Sequence, residues 1–180
     1  MIRVMIPVTA MFLTCSCSWA SSADVKGSIS TFALPSGIQV KIVEAPFSRA
    51  VFKVEPCKNG EISICRINGK LPHGVDGSEP KTYLKELTVS YKGKSYKLET
   101  SGMFNAWGAR PLQHPGSVRY FGGFCYDENT CVVRGLFADG AASYVAEWAI
   151  VDGVPERRII TESSDVVHLF IKNIDPPRFE

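Results

Sequence analysis

Three dipeptides, Asn68-Gly69, Lys92-Gly93 and Asp152-Gly153, punctuate runs of alternating apolar and polar residues and constrain this chain more than any other feature. An Xaa-Gly pair of this kind supplies the positive φ angles of a two-residue hairpin turn, and an alternation of period two buries one face of each flanking strand. In Leu87-Thr88-Val89-Ser90-Tyr91 and Lys94-Ser95-Tyr96-Lys97-Leu98, a turn at Lys92-Gly93 pairs Leu87 with Leu98 and Val89 with Tyr96. Those residues share one face, and Thr88, Ser90, Ser95 and Lys97 share the other. A slip of one residue would mix the two sets, so the register is specified. A second hairpin joins 143–151 to 154–161 through Asp152-Gly153, with Glu147 expected opposite Arg158 and Trp148 opposite Arg157 on the other face. A third pairs 118–126 with 131–137. Nearer the start, Ile38, Val40 and Ile42 alternate with polar neighbours. Ala45-Pro46 is expected to break that run, Val51-Phe52-Lys53-Val54 to resume it, and Ile62 to Ile67 to form a strand closed by Asn68-Gly69.

The pattern changes near the end. Ser164-Asp165 stands ahead of Val166, Val167, Phe170, Ile171 and Ile174, with Pro176-Pro177 behind, which predicts one short helix capped at Ser164. The expected architecture is therefore mainly β: an antiparallel sheet or sandwich of hairpins with one short C-terminal helix docked on it.

Residues 1–23 follow the three-part export pattern. Arg3 gives a positive start, Val4 to Leu13 is apolar but too short to span a bilayer, and Ser21-Ser22-Ala23 offers a signal peptidase small side chains. Cleavage after Ala23 leaves one β-rich domain, 24–180; Ala20 is the other cleavage candidate. Cys15 or Cys17 would be lipidated if the segment were a lipoprotein signal, but the residues ahead of each fit that pattern poorly. Of the 20 Lys and Arg, Arg3 leaves with the signal, so 19 stand against 18 Asp and Glu. That balance speaks against nucleic acid as a partner, because its binders carry a basic excess or stripe. No later stretch has the length of a transmembrane helix.

Cleavage also removes Cys15 and Cys17, leaving Cys57, Cys65, Cys125 and Cys131. Four cysteines allow three pairings. The local one, Cys57–Cys65 with Cys125–Cys131, is favoured because each pair flanks a short polar turn. A redox pair wants a C-x-x-C spacing, and a zinc site wants paired ligands; neither is here.

Catalytic chemistry has no signature in this sequence. There is no G-x-S-x-G, the remaining cysteines are committed to disulfides, and His73, His114 and His168 are isolated from one another. His168 falls inside the helical pattern and reads as structural. Asp76-Gly77-Ser78-Glu79 lacks the spacing and closing carboxylate of a calcium loop. No metal or cofactor is expected, and no pair of acids is nominated for hydrolysis.

One segment stands out for recognition. Gly102 to Pro111 contains Met103, Phe104, Asn105, Trp107 and Arg110 between two strands, in a loop that continues to Gly116. Such residues concentrate at the buried centres of protein interfaces, and loops on rigid sheets are where binding residues sit. The competing role for the same residues is to cap one end of the core, since long loops must anchor themselves with something apolar. Phe104, Asn105, Trp107 and Arg110 are the candidate partner-binding set.

With its export signal and disulfide-bearing β domain, and in the phrases Tyr120-Phe121-Gly122-Gly123-Phe124-Cys125 and Lys172-Asn173-Ile174-Asp175-Pro176-Pro177, the chain resembles small periplasmic proteins of Gram-negative bacteria. Some of those are similar to immunity proteins of the type VI secretion system, which neutralise effectors that attack peptidoglycan. The resemblance implies a non-enzymatic periplasmic immunity or inhibitor protein that occludes a cell-wall-degrading toxin or hydrolase. The alternative is a periplasmic envelope module that binds glycan or lipid through exposed aromatics.

Overall fold

The computed structural model describes residues 27–58, 64–106, 120–138 and 140–178. The expected signal segment, Cys15, Cys17, Trp107, Arg110 and His114 lie outside them. The described chain is mainly β: strands β1 (Ser28–Ala33), β2 (Gln39–Pro46), β3 (Val54–Pro56), β4 (Ile64–Ile67), β5 (Thr82–Tyr91), β6 (Lys94–Leu98), β7 (Phe121–Cys125), β8 (Cys131–Phe137), β9 (Tyr144–Val151) and β10 (Val154–Thr161), then helix α1 (Ser164–Lys172). They form two antiparallel four-stranded sheets, ordered β1-β2-β5-β6 and β10-β9-β8-β7, and a small β3-β4 ribbon. No helix among the described residues is long and apolar enough to cross a membrane.

The two large sheets bury their inner faces against one core. From the first come Val40, Ile42, Leu87, Val89 and Leu98; from the second, Val133, Phe137, Tyr144, Trp148 and Ile150. Phe32 meets Phe121 across the interface with ring centroids 5.2 Å apart. Polar bonds tie the same layers. Trp148 Nε1 donates to the Glu99 carbonyl at 2.9 Å, and the Tyr96 hydroxyl donates to the Glu128 carbonyl at 2.7 Å.

The hairpin turns fall where expected, and the register around Lys92-Gly93 holds. Leu87 pairs with Leu98 and Val89 with Tyr96. Asn68, Lys92 and Asp152 adopt φ of 52°, 45° and 52°, each followed by a glycine at positive φ, so all three turns are of the mirror-image type that matches strand twist. Both disulfides take the local pairing, Cys57–Cys65 and Cys125–Cys131, and Cys125 and Cys131 are also direct cross-strand partners.

Four expectations are corrected. Glu147 does not face Arg158: a bulge between Arg157 and Ile159 sets Ile159 opposite Glu147, while Arg157 keeps Trp148. Ala45-Pro46 does not break the second strand; β2 runs through Pro46, which pairs with Thr82 at the strand end. Val51-Phe52-Lys53 lies ahead of β3 rather than in it, with Phe52 stacked on Phe47 at 5.0 Å. The helix begins one residue early, with Ser163 at its N-cap and Ser164 as its first residue, and ends at Lys172 before Ile174.

The outer faces differ. That of the first sheet carries Lys41, Glu86 and Thr88, with Lys41 Nζ 2.9 Å from Glu86 Oε1. That of the second is covered in part by α1, whose Val167 and Phe170 pack on Val145, Leu136 and Ile159. The chain then crosses β7. A Cβ on Gly122 would lie 2.2 Å from the Ile174 carbonyl oxygen, so glycine is required where this segment passes.

Candidate functional site

The segment that reaches the predicted recognition loop is braced from all sides. Leu84 donates to the Met103 carbonyl at 2.9 Å, Phe104 to that of His73 at 3.0 Å, and Asn105 to that of Thr82 at 3.1 Å. Asn105 sits at φ 42°, a conformation that Asn tolerates better than most residues. Its Oδ1 accepts from the Lys81 and Thr82 amides at 2.8 and 3.3 Å, and its Nδ2 donates to the Gly74 carbonyl at 2.9 Å. Phe104 is only 3% exposed and packs edge-on against Phe47 and Phe52. The Ala106 carbonyl accepts from the Ala138 amide just past β8. Phe104 and Asn105 therefore fasten the root of the loop: Phe104 fills core space, and Asn105 substitutes for missing backbone partners. Trp107 and Arg110 follow this root.

Beneath the root is a group of titratable side chains that the sequence did not bring together. Glu44 continues the inward alternation of Val40 and Ile42 on β2, and an extra residue on β5, Lys85, sets it opposite Leu84. Its carboxylate accepts from the Thr82 hydroxyl at 2.7 Å, and burial pushes its pKa above the ordinary range despite that bond. The Tyr144 hydroxyl donates to the Phe104 carbonyl at 3.2 Å and is held well above its ordinary pKa, chiefly by burial. His73 Nδ1 lies 3.7 Å from Glu162 Oε1, beyond a hydrogen bond, and has no hydrogen-bond partner among the described residues. Burial outweighs the nearby carboxylate and holds the imidazole below its ordinary pKa, hence neutral at pH 7. Glu162 Oε1 instead accepts from the Gly74 amide at 2.9 Å. Each acid is thus spent on a backbone or hydroxyl donor of the loop root. Among the described residues no three His, Cys, Asp or Glu side chains are placed to share a metal ion. His168 is exposed on α1, with Nδ1 2.7 Å from the Ser164 carbonyl, and Asp76 accepts from Ser78 at 2.9 Å within an exposed turn.

A separate concavity of about 360 Å³ opens on the outer face of the second sheet, beyond the reach of α1. Its floor is Val132, Ala149 and Val151, and its walls are Phe124, Tyr126, Pro176 and Pro177. At one side Arg134 and Glu147, direct partners across β8 and β9, meet with Nε and Oε2 2.6 Å apart; their side chains are 13% and 12% exposed. The Arg134 guanidinium also lies 4.7 Å from the Phe170 ring centroid and donates to the Asn173 carbonyl at 3.1 Å. Arg158, the bulge residue of β10, completes the lining. This concavity involves the Cys131 end of β8, whereas Ala106 is bonded at the other end, about 20 Å away at the rise of a strand. No single sequence segment carries it, which is why it was missed. No protein family, curated protein or solved structure matches this chain.

Proposed function

We propose that this protein is a non-enzymatic periplasmic recognition protein, an immunity or inhibitor protein that occludes a cell-wall-degrading toxin or hydrolase. The observation that carries the reading is the bracing of the stretch that leads into residue 107: hydrogen bonds to residues of β5, to His73 and Gly74, and to the end of β8 hold Met103 to Ala106 in place. A segment that starts from a fixed frame loses less entropy on binding than one that must first be ordered, which suits a tight protein inhibitor. Trp107 and Arg110 are the two residue types richest in interface binding energy. The export pattern of residues 1–23 and the two disulfides support an extracytoplasmic site of action.

The test measures inhibition of peptidoglycan hydrolases (muramidases, amidases and endopeptidases, including any encoded beside this reading frame) with calorimetry on each inhibited enzyme. Trp107→Ala is expected to weaken binding by a hot-spot amount, about 2 kcal/mol or more, in a folded variant. Unchanged affinity would remove the loop from the interface. If no hydrolase is inhibited and the protein sediments with purified peptidoglycan or lipid vesicles, the envelope-binding alternative replaces this reading.

A further inference from the structure

We infer that the outer-face concavity of the second sheet is a docking site for an acidic side chain, flanked by apolar residues, on a segment of a protein partner. Charge, shape and position carry it, and none of these involves residues 107–119.

The charge is one-sided. Glu147 is the only acid in the lining, and Arg134 occupies it at 2.6 Å. Arg158 has no ion pair or side-chain hydrogen bond among the described residues. A third guanidinium, that of Arg178, lies 5.2 Å from the Phe124 ring centroid, on the residue that forms an aromatic wall. The lining therefore carries two guanidinium groups against one carboxylate, with Glu156, opposite Ala149 on the same face, outside it. Guanidinium groups present a planar fork of donors that matches a carboxylate.

The backbone aims this charge. Strand alternation sends two successive arginines of β10 to different places. Arg157 Nη1 donates to the Ser101 carbonyl at 2.8 Å, bracing the connection after β6, while Arg158 lines the outer concavity. The bulge takes Arg158 out of direct register with Glu147, which keeps Arg134 as its cross-strand partner.

The apolar surface says what accompanies the carboxylate. Val132, Ala149 and Val151 form a floor that a bare anion would leave uncovered. Around it Tyr126 is 57% exposed, Val151 47% and Val154 67%; Val151 and Val154 are cross-strand partners and so share a face. This apolar rim reaches past a cavity that is at the small end of ligand pockets, about 300 to 1,000 Å³. A protein segment covers rim and cavity together, as interface cores with aromatic and arginine anchors do. The walls are preset: the tail is seated over Gly122, and Phe124 and Tyr126 meet edge-on at 5.0 Å.

The probe is the peptide acetyl-Leu-Glu-Leu-amide, titrated into the full chain lacking only residues 1–23 and followed by amide NMR shifts, beside acetyl-Leu-Gln-Leu-amide and acetate. The Glu peptide should move signals of 124–134, 149–151 and 158, and bind about fivefold tighter than the Gln peptide, the upper range for a solvent-facing ion pair. Arg158→Gln, a change at an exposed residue, should erase that preference while leaving the thermal midpoint unaltered. Four outcomes overturn the inference: equal binding of the two peptides, retention of the preference in Arg158→Gln, acetate binding as tightly as the Glu peptide (a bare anion site), or no shifts at about 10 mM peptide.

Discussion

Replacing Glu147 by Gln removes the anion that faces Arg134 across β8 and β9, and the cost is expected to reach α1. The two side chains are 13% and 12% exposed, with Nε and Oε2 2.6 Å apart. Unit charges about 4 Å apart attract by roughly 4 kcal/mol at an effective dielectric of about 20, and desolvating both groups offsets part of that. A net coupling of about 2 kcal/mol follows, above the 1 kcal/mol or less of an exposed pair. Arg134 also donates to the Asn173 carbonyl and lies over the Phe170 ring, so its position links the sheet to the end of the helix. The measurement is a double-mutant cycle in urea at pH 7 with Glu147→Gln, Arg134→Met and the double variant. Methionine keeps a flexible apolar stem near Phe170 while removing the charge. Each single variant should lose about 2 to 3 kcal/mol, and the double variant little more than either. Amide exchange at 167–173 should accelerate in both singles. A coupling below about 0.5 kcal/mol would put this pair among ordinary surface pairs and refute the reasoning.

Three further outcomes follow from the same geometry. Chain-entropy arithmetic for separations of 8 and 6 residues gives about 2.5 kcal/mol for Cys57–Cys65 and about 2.2 kcal/mol for Cys125–Cys131, so paired Cys→Ala variants should lose those amounts in urea, and a neutral result for either would show that its hairpin is already closed when reduced. Gly122→Ala puts a methyl 2.2 Å from the Ile174 carbonyl oxygen; it should destabilise by about 1 to 3 kcal/mol and loosen 173–178 to protease, and unchanged proteolysis would mean the tail is not seated there. Because the folded pKa of His73 is depressed, the unfolded chain takes up the proton first, and stability should fall as pH drops below about 6.5 toward the folded value. His73→Gln should flatten the dependence of the urea midpoint between pH 7 and 5, and an unchanged slope would assign that dependence to other groups.

Much of the fold was legible because hairpins are local. The Lys92-Gly93 and Asp152-Gly153 turns need only two residues in the left-handed region, and the alternation around Lys92-Gly93 sets the register of the next five pairs. Strand β1 was not legible, because its two faces are mixed: Ser30 faces inward beside Phe32 while Ile29 is 68% exposed, so its composition does not report its burial. The bulge at Arg158 also escaped, since one extra residue in a strand leaves no compositional trace but shifts every pairing beyond it by one. Of the candidate loop residues, Phe104 illustrates a general ambiguity: an aromatic in a long loop serves a partner or the core, and only its neighbours Phe47 and Phe52 decide which.

The sequence by itself determined the all-β class, the two local disulfides, the hairpin turns and the C-terminal helix. These depend on residues within about a dozen positions of one another, where φ preference and period-two alternation suffice. Only the tertiary structure decided that Glu44, His73, Tyr144 and Glu162 gather beneath one loop root, and that Arg134, Glu147 and Arg158 share a concavity with the tail. Those groupings arise from sheet order, bulges and the packing of α1. A contact between distant strands is set by how faces are stacked, which no local pattern encodes.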